Sequence, residues 1–132
     1  MMNNKVSINV ISSFNHYNFI GLLGNNNDFK WQINDTNYNQ IFQVLNDKKS
    51  NIWKKKSDAS LIWSTPESIS PEFKKLLNHE KVNKNLIKKD IDFFFDCLKS
   101  TKKNTDIILI PSWILREPNE SGVALSFSKN FG

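Results

Sequence analysis

The chain is poor in the residues that most often carry chemistry. Among 132 residues it has one cysteine, two histidines, four glycines, four prolines and one arginine. The lone Cys97 allows no internal disulfide, and its apolar helical surroundings fit a packed thiol in a reducing compartment. His16 and His79 are isolated, and Asp35 and Asp47 carry no sign of converging, so no metal site is expected. Gly21, Gly24, Gly122 and Gly132 match neither a P-loop nor a dinucleotide fingerprint, and no nucleotide cofactor is implied. No apolar run reaches the roughly 18 residues of a membrane span, and Met1 to Lys5 lacks the charged and apolar regions of a secretory signal. The expectation is a cytoplasmic protein without cofactor or membrane contact.

Lysine is what the chain has in excess. The formal net charge is +5 and the isoelectric point about 9.3, which invites a nucleic-acid partner. The pairs Lys48-Lys49, Lys74-Lys75, Lys88-Lys89 and Lys102-Lys103 are spread along the sequence, however, where they read as solvated faces. Only Lys54-Lys55-Lys56, following Trp53, has the basic and aromatic look of a phosphate contact. The balance argues against nucleic acid.

Hydrophobic periodicity divides the chain into alternating strands and helices. Strands are predicted over Lys5 to Ser12, Phe29 to Asn34, Asp58 to Ser64 and Thr105 to Pro111, the last carrying Ile107-Ile108-Leu109-Ile110 unbroken, as a parallel strand covered on both faces would. Between the first two, Asn15 is placed to cap a helix through His16 to Leu23, closed by a left-handed Gly24. After Asn37 as cap, Tyr38, Ile41, Phe42 and Leu45 form one apolar stripe. Lys48 to Ser57 reads as a polar connection anchored by Ile52 and Trp53, and Thr65 to Ser70 as a loop. Ser70 and Pro71 start a helix through Phe73, Leu76 and Leu77; after a break near Asn78 to Asn83, Leu86, Ile87, Ile91, Phe94, Phe95 and Leu98 continue it towards Asn104. The sum is a single α/β domain over 1–132, a doubly wound parallel sheet of flavodoxin or SGNH type in three α/β/α layers. Only Val123 to Phe127 follows as a weak apolar run, so the domain is expected to be incomplete at its C-terminus, the front fragment of a longer one.

Ligands of such sheets bind at the carboxyl ends of the strands, and β-strand one empties into Ser12-Ser13-Phe14-Asn15-His16. Ser12 and Ser13 are the candidate nucleophiles, but a serine needs a base, an orienting acid and oxyanion donors, and no Gly-x-Ser-x-Gly elbow is present. Asn15 and Thr65 are candidate ligand contacts on the same edge, as is Arg116, whose guanidinium suits a phosphate or carboxylate. Asp90-Ile91-Asp92 has the form of an aspartyl-phosphate motif, yet a helical period runs through it and turns both carboxylates to solvent.

Val6-Ser7-Ile8-Asn9-Val10-Ile11-Ser12-Ser13-Phe14, the segment Asn37-Tyr38-Asn39-Gln40-Ile41-Phe42-Gln43 and the strand Asp58 to Trp63 together resemble the N-terminal region of FkbH-like proteins, over roughly residues 5 to 112. In that family an SGNH-hydrolase-like domain precedes a phosphatase-type domain of the haloacid dehalogenase superfamily. The resemblance implies glyceryl or acyl transfer to an acyl carrier protein in polyketide or surface-sugar biosynthesis, with phosphate chemistry in the downstream domain. The chain departs from the SGNH pattern, having Ile11-Ser12-Ser13 in place of Gly-Asp-Ser and Ser64-Thr65-Pro66-Glu67 in place of Gly-x-Asn-Asp. The first expectation is therefore an accessory domain that binds a small polar or carrier-tethered ligand. The alternatives are an SGNH-type esterase or acyltransferase using Ser12 or Ser13, and a basic interaction module.

Overall fold

The apolar run that opens the chain becomes the strand around which the sheet is laid. In the computed structural model, which describes residues 5–113, β1 (Lys5–Ser12) lies between β2 (Lys30–Asp35) and β3 (Ser57–Trp63), and β4 (Thr105–Leu109) completes the order β2-β1-β3-β4. All three pairings are parallel, with Ile8 opposite both Ile33 and Ala59 and with Ser12 opposite Trp63. The chain steps one way from β1 to β2 and the other way from β3 to β4, so its crossover helices fall on opposite faces. This is the three-layer, doubly wound α/β arrangement that the alternation of elements predicts.

Alternation of side chains along β1 feeds both layers. Ile8 and Val10 meet Leu61 and, from α1 (Tyr17–Gly24), Phe19 and Leu23. Ile11 and Ile62 face the larger core, built with Ile41, Val44 and Leu45 of α2 (Ile41–Asn46) and Phe94, Cys97 and Leu98 of α5 (Lys84–Ser100). Complete burial of Ile11 and Ile62 is worth about 1.5–3 kcal/mol each. Between α2 and β3, the 3₁₀ turn Asn51–Trp53 buries Ile52 and Trp53 as the sequence suggests, and Trp53 Nε1 donates to the carbonyl of Val44 at 2.8 Å. That burial removes Trp53 as a stacking platform beside Lys54-Lys55-Lys56, and Lys56 pairs instead with Asp106 at 2.9 Å.

Buried polar side chains tie all four strands together. Asn34 of β2 donates to Asn9 of β1 (3.3 Å), Asn9 donates to Ser57 and Ser60 of β3 (2.9 and 3.1 Å), and both serine hydroxyls reach Thr105 of β4 at 3.0 Å. Asn9, Ser57, Ser60 and Thr105 are all buried, so each bond offsets a desolvation that would otherwise go uncompensated.

Several local expectations are corrected. The stripe after Asn37 begins its helix only at Ile41, because Asn39 takes a left-handed conformation (φ 64°) and sends its N–H to the carbonyl of Ser12 at 2.8 Å, leaving Tyr38 outside and exposed. Gly24 is not left-handed; it belongs to α1, which closes through the Asn25 N–H onto Gly21 and the Asn26 N–H onto Leu23. The stretch after Thr65 is not all loop but holds α3 (Pro66–Ile69), where Ser68 Oγ accepts from the Thr65 N–H. Ser70 does not cap α4 (Pro71–Leu77) with its side chain but donates to Asp90 at 2.8 Å, and α5 ends at Ser100 rather than near Asn104. Among the described residues, β4 is covered on one face: Ile108 packs on the α2–α5 core, whereas Ile107 is 55% and Leu109 45% exposed. Arg116 and the run Val123 to Phe127 lie outside the described residues.

Candidate functional site

In a sheet of this order the connections diverge between β1 and β3, and the crevice at their carboxyl ends is the usual ligand site. Here the two loops are stitched shut. The Ser13 N–H donates to the carbonyl of Trp63 at 3.0 Å, and Ser13 Oγ accepts from the Thr65 N–H at 3.2 Å while its own hydrogen points to Thr65 Oγ1 at 3.5 Å. Ser12 is fully buried, and its Oγ accepts from the Phe14 N–H at 3.1 Å. Phe14 and Phe19 stand edge-on to Trp63, with ring centroids at 4.9 and 5.2 Å, and Trp113 Nε1 reaches across from the end of β4 to Ser64 at 2.9 Å.

The structure thus brings Ser12, Ser13 and Thr65 together, as predicted, but engages their hydroxyls with one another and with the backbone. Asn15 is exposed nearby, its Oδ1 accepting from the Tyr17 N–H at 3.1 Å. His16 is buried at the start of α1, and among the described residues no hydrogen bond joins it to either serine. Its Nδ1 lies 3.3 Å from the carbonyl of Phe14, so that nitrogen is assigned the proton, and its Nε2 faces Asp35 Oδ2 at 3.5 Å without forming a hydrogen bond.

Open space lies one strand over. The loop that leaves β2 is held down by Asn39 on Ser12, and between it and α2 a cleft of about 660 Å³ opens at the carboxyl end of β2. Asp35, Thr36, Asn37, Gln40, Gln43 and Asp47 line it. Asp35 and Asp47, which carry no sequence signal of proximity, therefore share one cleft. Among the described residues no hydrogen bond engages the side-chain amides of Asn37, Gln40 or Gln43, and Thr36 Oγ1 is buried with no partner. No group of three metal-ligating side chains occurs among the described residues, and none of their helices is long and apolar enough to cross a membrane.

No family model, curated protein or solved structure matches this chain. The site is consequently read from its own geometry. Asp90 and Asp92 lie on α5, and Asp90 accepts from Ser70, far in character from a nucleophile at a strand end. Cys97 is buried, its Sγ donating to Asn46 Oδ1 at 3.4 Å, and burial pushes the thiol above its ordinary range.

The cleft escaped the sequence because its walls come from separate elements. Asparagine and glutamine at 37, 40 and 43 read as ordinary polar positions around a helix start. The one usable signal is their density: four amide side chains between Asn37 and Gln43 sit where a surface helix of this chain would carry lysine.

Proposed function

We propose that the chain is a ligand-binding α/β domain that takes a small polar molecule at the carboxyl edge of its sheet and does not itself cleave it. The observation that carries this reading is the contrast along that edge. Ser12 and Ser13 spend their hydroxyls on the Phe14 and Thr65 N–H groups, and among the described residues no hydrogen bond joins either to a histidine, while the cleft beside β2 is lined by the unengaged amides of Asn37, Gln40 and Gln43. A serine nucleophile whose lone pairs accept backbone hydrogens and whose proton has no base to go to is a poor attacker. A cleft with unengaged donors and acceptors is poised to exchange water for a ligand.

Within that reading, the resemblance to FkbH-like proteins supplies the wider setting. The domain would act as the accessory front part of a protein whose phosphatase-type domain works on a three-carbon or acyl group destined for an acyl carrier protein. An Asp-x-Asp phosphatase-type domain in the same reading frame is expected, and a frame without one removes this setting while leaving the binding reading intact.

Fluorophosphonate labelling tests the absence of cleavage. The chain is expected to stay unlabelled under conditions that label a serine esterase to completion. Labelling that disappears in Ser13→Ala or Ser12→Ala would establish a nucleophile and overturn the reading.

A further inference from the structure

The ionisable side chains lining the β2–α2 cleft are Asp35 and Asp47. The chain carries 18 lysines and arginines, yet none lines it; Lys48 and Lys49 follow Asp47 immediately but stay outside. A site meant for phosphate would show the opposite, a guanidinium, an ammonium or a cluster of backbone N–H groups. Two carboxylates with their backs to a sheet disfavour any anion by direct repulsion.

What remains is hydrogen-bonding capacity that is neutral and two-sided. Each of Asn37, Gln40 and Gln43 offers one carbonyl acceptor and two N–H donors, the Thr36 hydroxyl gives and takes one, and each carboxylate accepts from adjacent hydroxyls. A hydroxyl group is itself donor and acceptor, so a ligand with several of them satisfies such a wall better than an ammonium, which only donates, or a carbonyl, which only accepts. Ile33, Val44 and Ile52 supply an apolar floor for C–H groups. The volume of about 660 Å³ falls in the ordinary range for small-molecule sites and admits one or two sugar rings.

We infer that the cleft between β2 and α2 binds an uncharged, hydroxyl-rich ligand of sugar size and excludes phosphorylated compounds, an inference that rests on the reading of this edge as the ligand site. If the domain works beside a phosphatase-type partner, the phosphate-bearing substrate then binds there and the neutral moiety binds here.

The test is an NMR titration of the ¹⁵N-labelled chain with D-glucose, sucrose and D-glucose 6-phosphate at low ionic strength. Dose-dependent shifts of residues 35–52 are expected with the two neutral sugars, with the phosphate ester bound about tenfold more weakly or worse because both carboxylates face it. Gln43→Ala and Asp47→Asn, at exposed positions that leave the core untouched, should each abolish most of the neutral-sugar response while preserving the rest of the spectrum. Binding of the phosphate ester in this cleft as tight as that of glucose overturns the inference and leaves the edge standing as a ligand site. Shifts confined to Ser13 and Thr65 do the same, moving the site to β1 and β3. No shift from any of the three compounds overturns both the inference and the reading beneath it.

Discussion

Asn39 shows how one residue sets the geometry of the cleft. Its φ of 64° costs an L-residue roughly 1–2 kcal/mol, less for asparagine, and the strain is held by the bond from its N–H to Ser12. Asn39→Gly should leave the melting temperature nearly unchanged, whereas Asn39→Val should lower stability by about 1–2 kcal/mol in denaturant unfolding. Equal effects of the two would refute the assignment. Cys97 gives a second check. Burial holds its proton past the ordinary thiol value of 9.0, and the unfolded chain lacks that burial, so the folded state keeps its full stability below pH 9 and loses some as the pH rises beyond it. The thiol should accordingly resist Ellman's reagent at pH 8 in the native chain and react at once in denaturant. Rapid native-state reaction would show that Cys97 is not buried in the core between α5, α2 and the sheet.

At the level of elements, the polar chain from Asn34 through Asn9, Ser57 and Ser60 to Thr105 is the feature that links the strands beyond their backbone ladders. Asn9→Ala should cost about 1–3 kcal/mol, since it removes the buried side chain that bonds Ser57, Ser60 and Asn34 and leaves the β3 hydroxyls only each other and Thr105. A loss under about 0.5 kcal/mol would mean that water reaches the network. The strands themselves were readable because each is an apolar run between polar flanks, and β1 matches its predicted bounds from Lys5 to Ser12. The helix starts were less so. Asn37 has the chemistry of a cap, but a tertiary bond at Asn39 postpones α2 by three residues, and no local pattern announces a bond to a strand 27 positions earlier. Thr65 to Ser70 reads as a loop because α3 is only four residues long, too short for periodicity to register.

For the whole molecule, one face of the sheet is unevenly clothed. α1 covers β1 and β2, while Ile107, Leu109 and Ile110 are 55%, 45% and 40% exposed. An apolar patch of this kind promotes aggregation, so static light scattering should rise with concentration and fall when Ile107 and Leu109 are both replaced by threonine. A monomer that stays clear at high concentration with both residues intact would contradict this. The same global view explains what sequence reasoning reached of the site. It placed Ser12, Ser13 and Thr65 at one sheet edge, because the carboxyl end of β1 follows from the strand pattern and from the behaviour of parallel sheets. It did not reach the cleft, because Asp35 and Asp47 come from separate elements and line one opening only once the chain is folded, while the Phe14–Trp63 contact and the Trp113–Ser64 bond join the loops after β1 and β3.

The most direct measurement of the account's central claim is the side-chain NH₂ region of a ¹⁵N spectrum, in which Asn37, Gln40 and Gln43 report on the cleft itself. Saturating D-glucose should move these three pairs of resonances while leaving the side-chain amide of Asn9, buried and already bonded within the sheet, in place. Unmoved cleft amides at saturation, or movement spread evenly over every asparagine and glutamine of the surface, would contradict it.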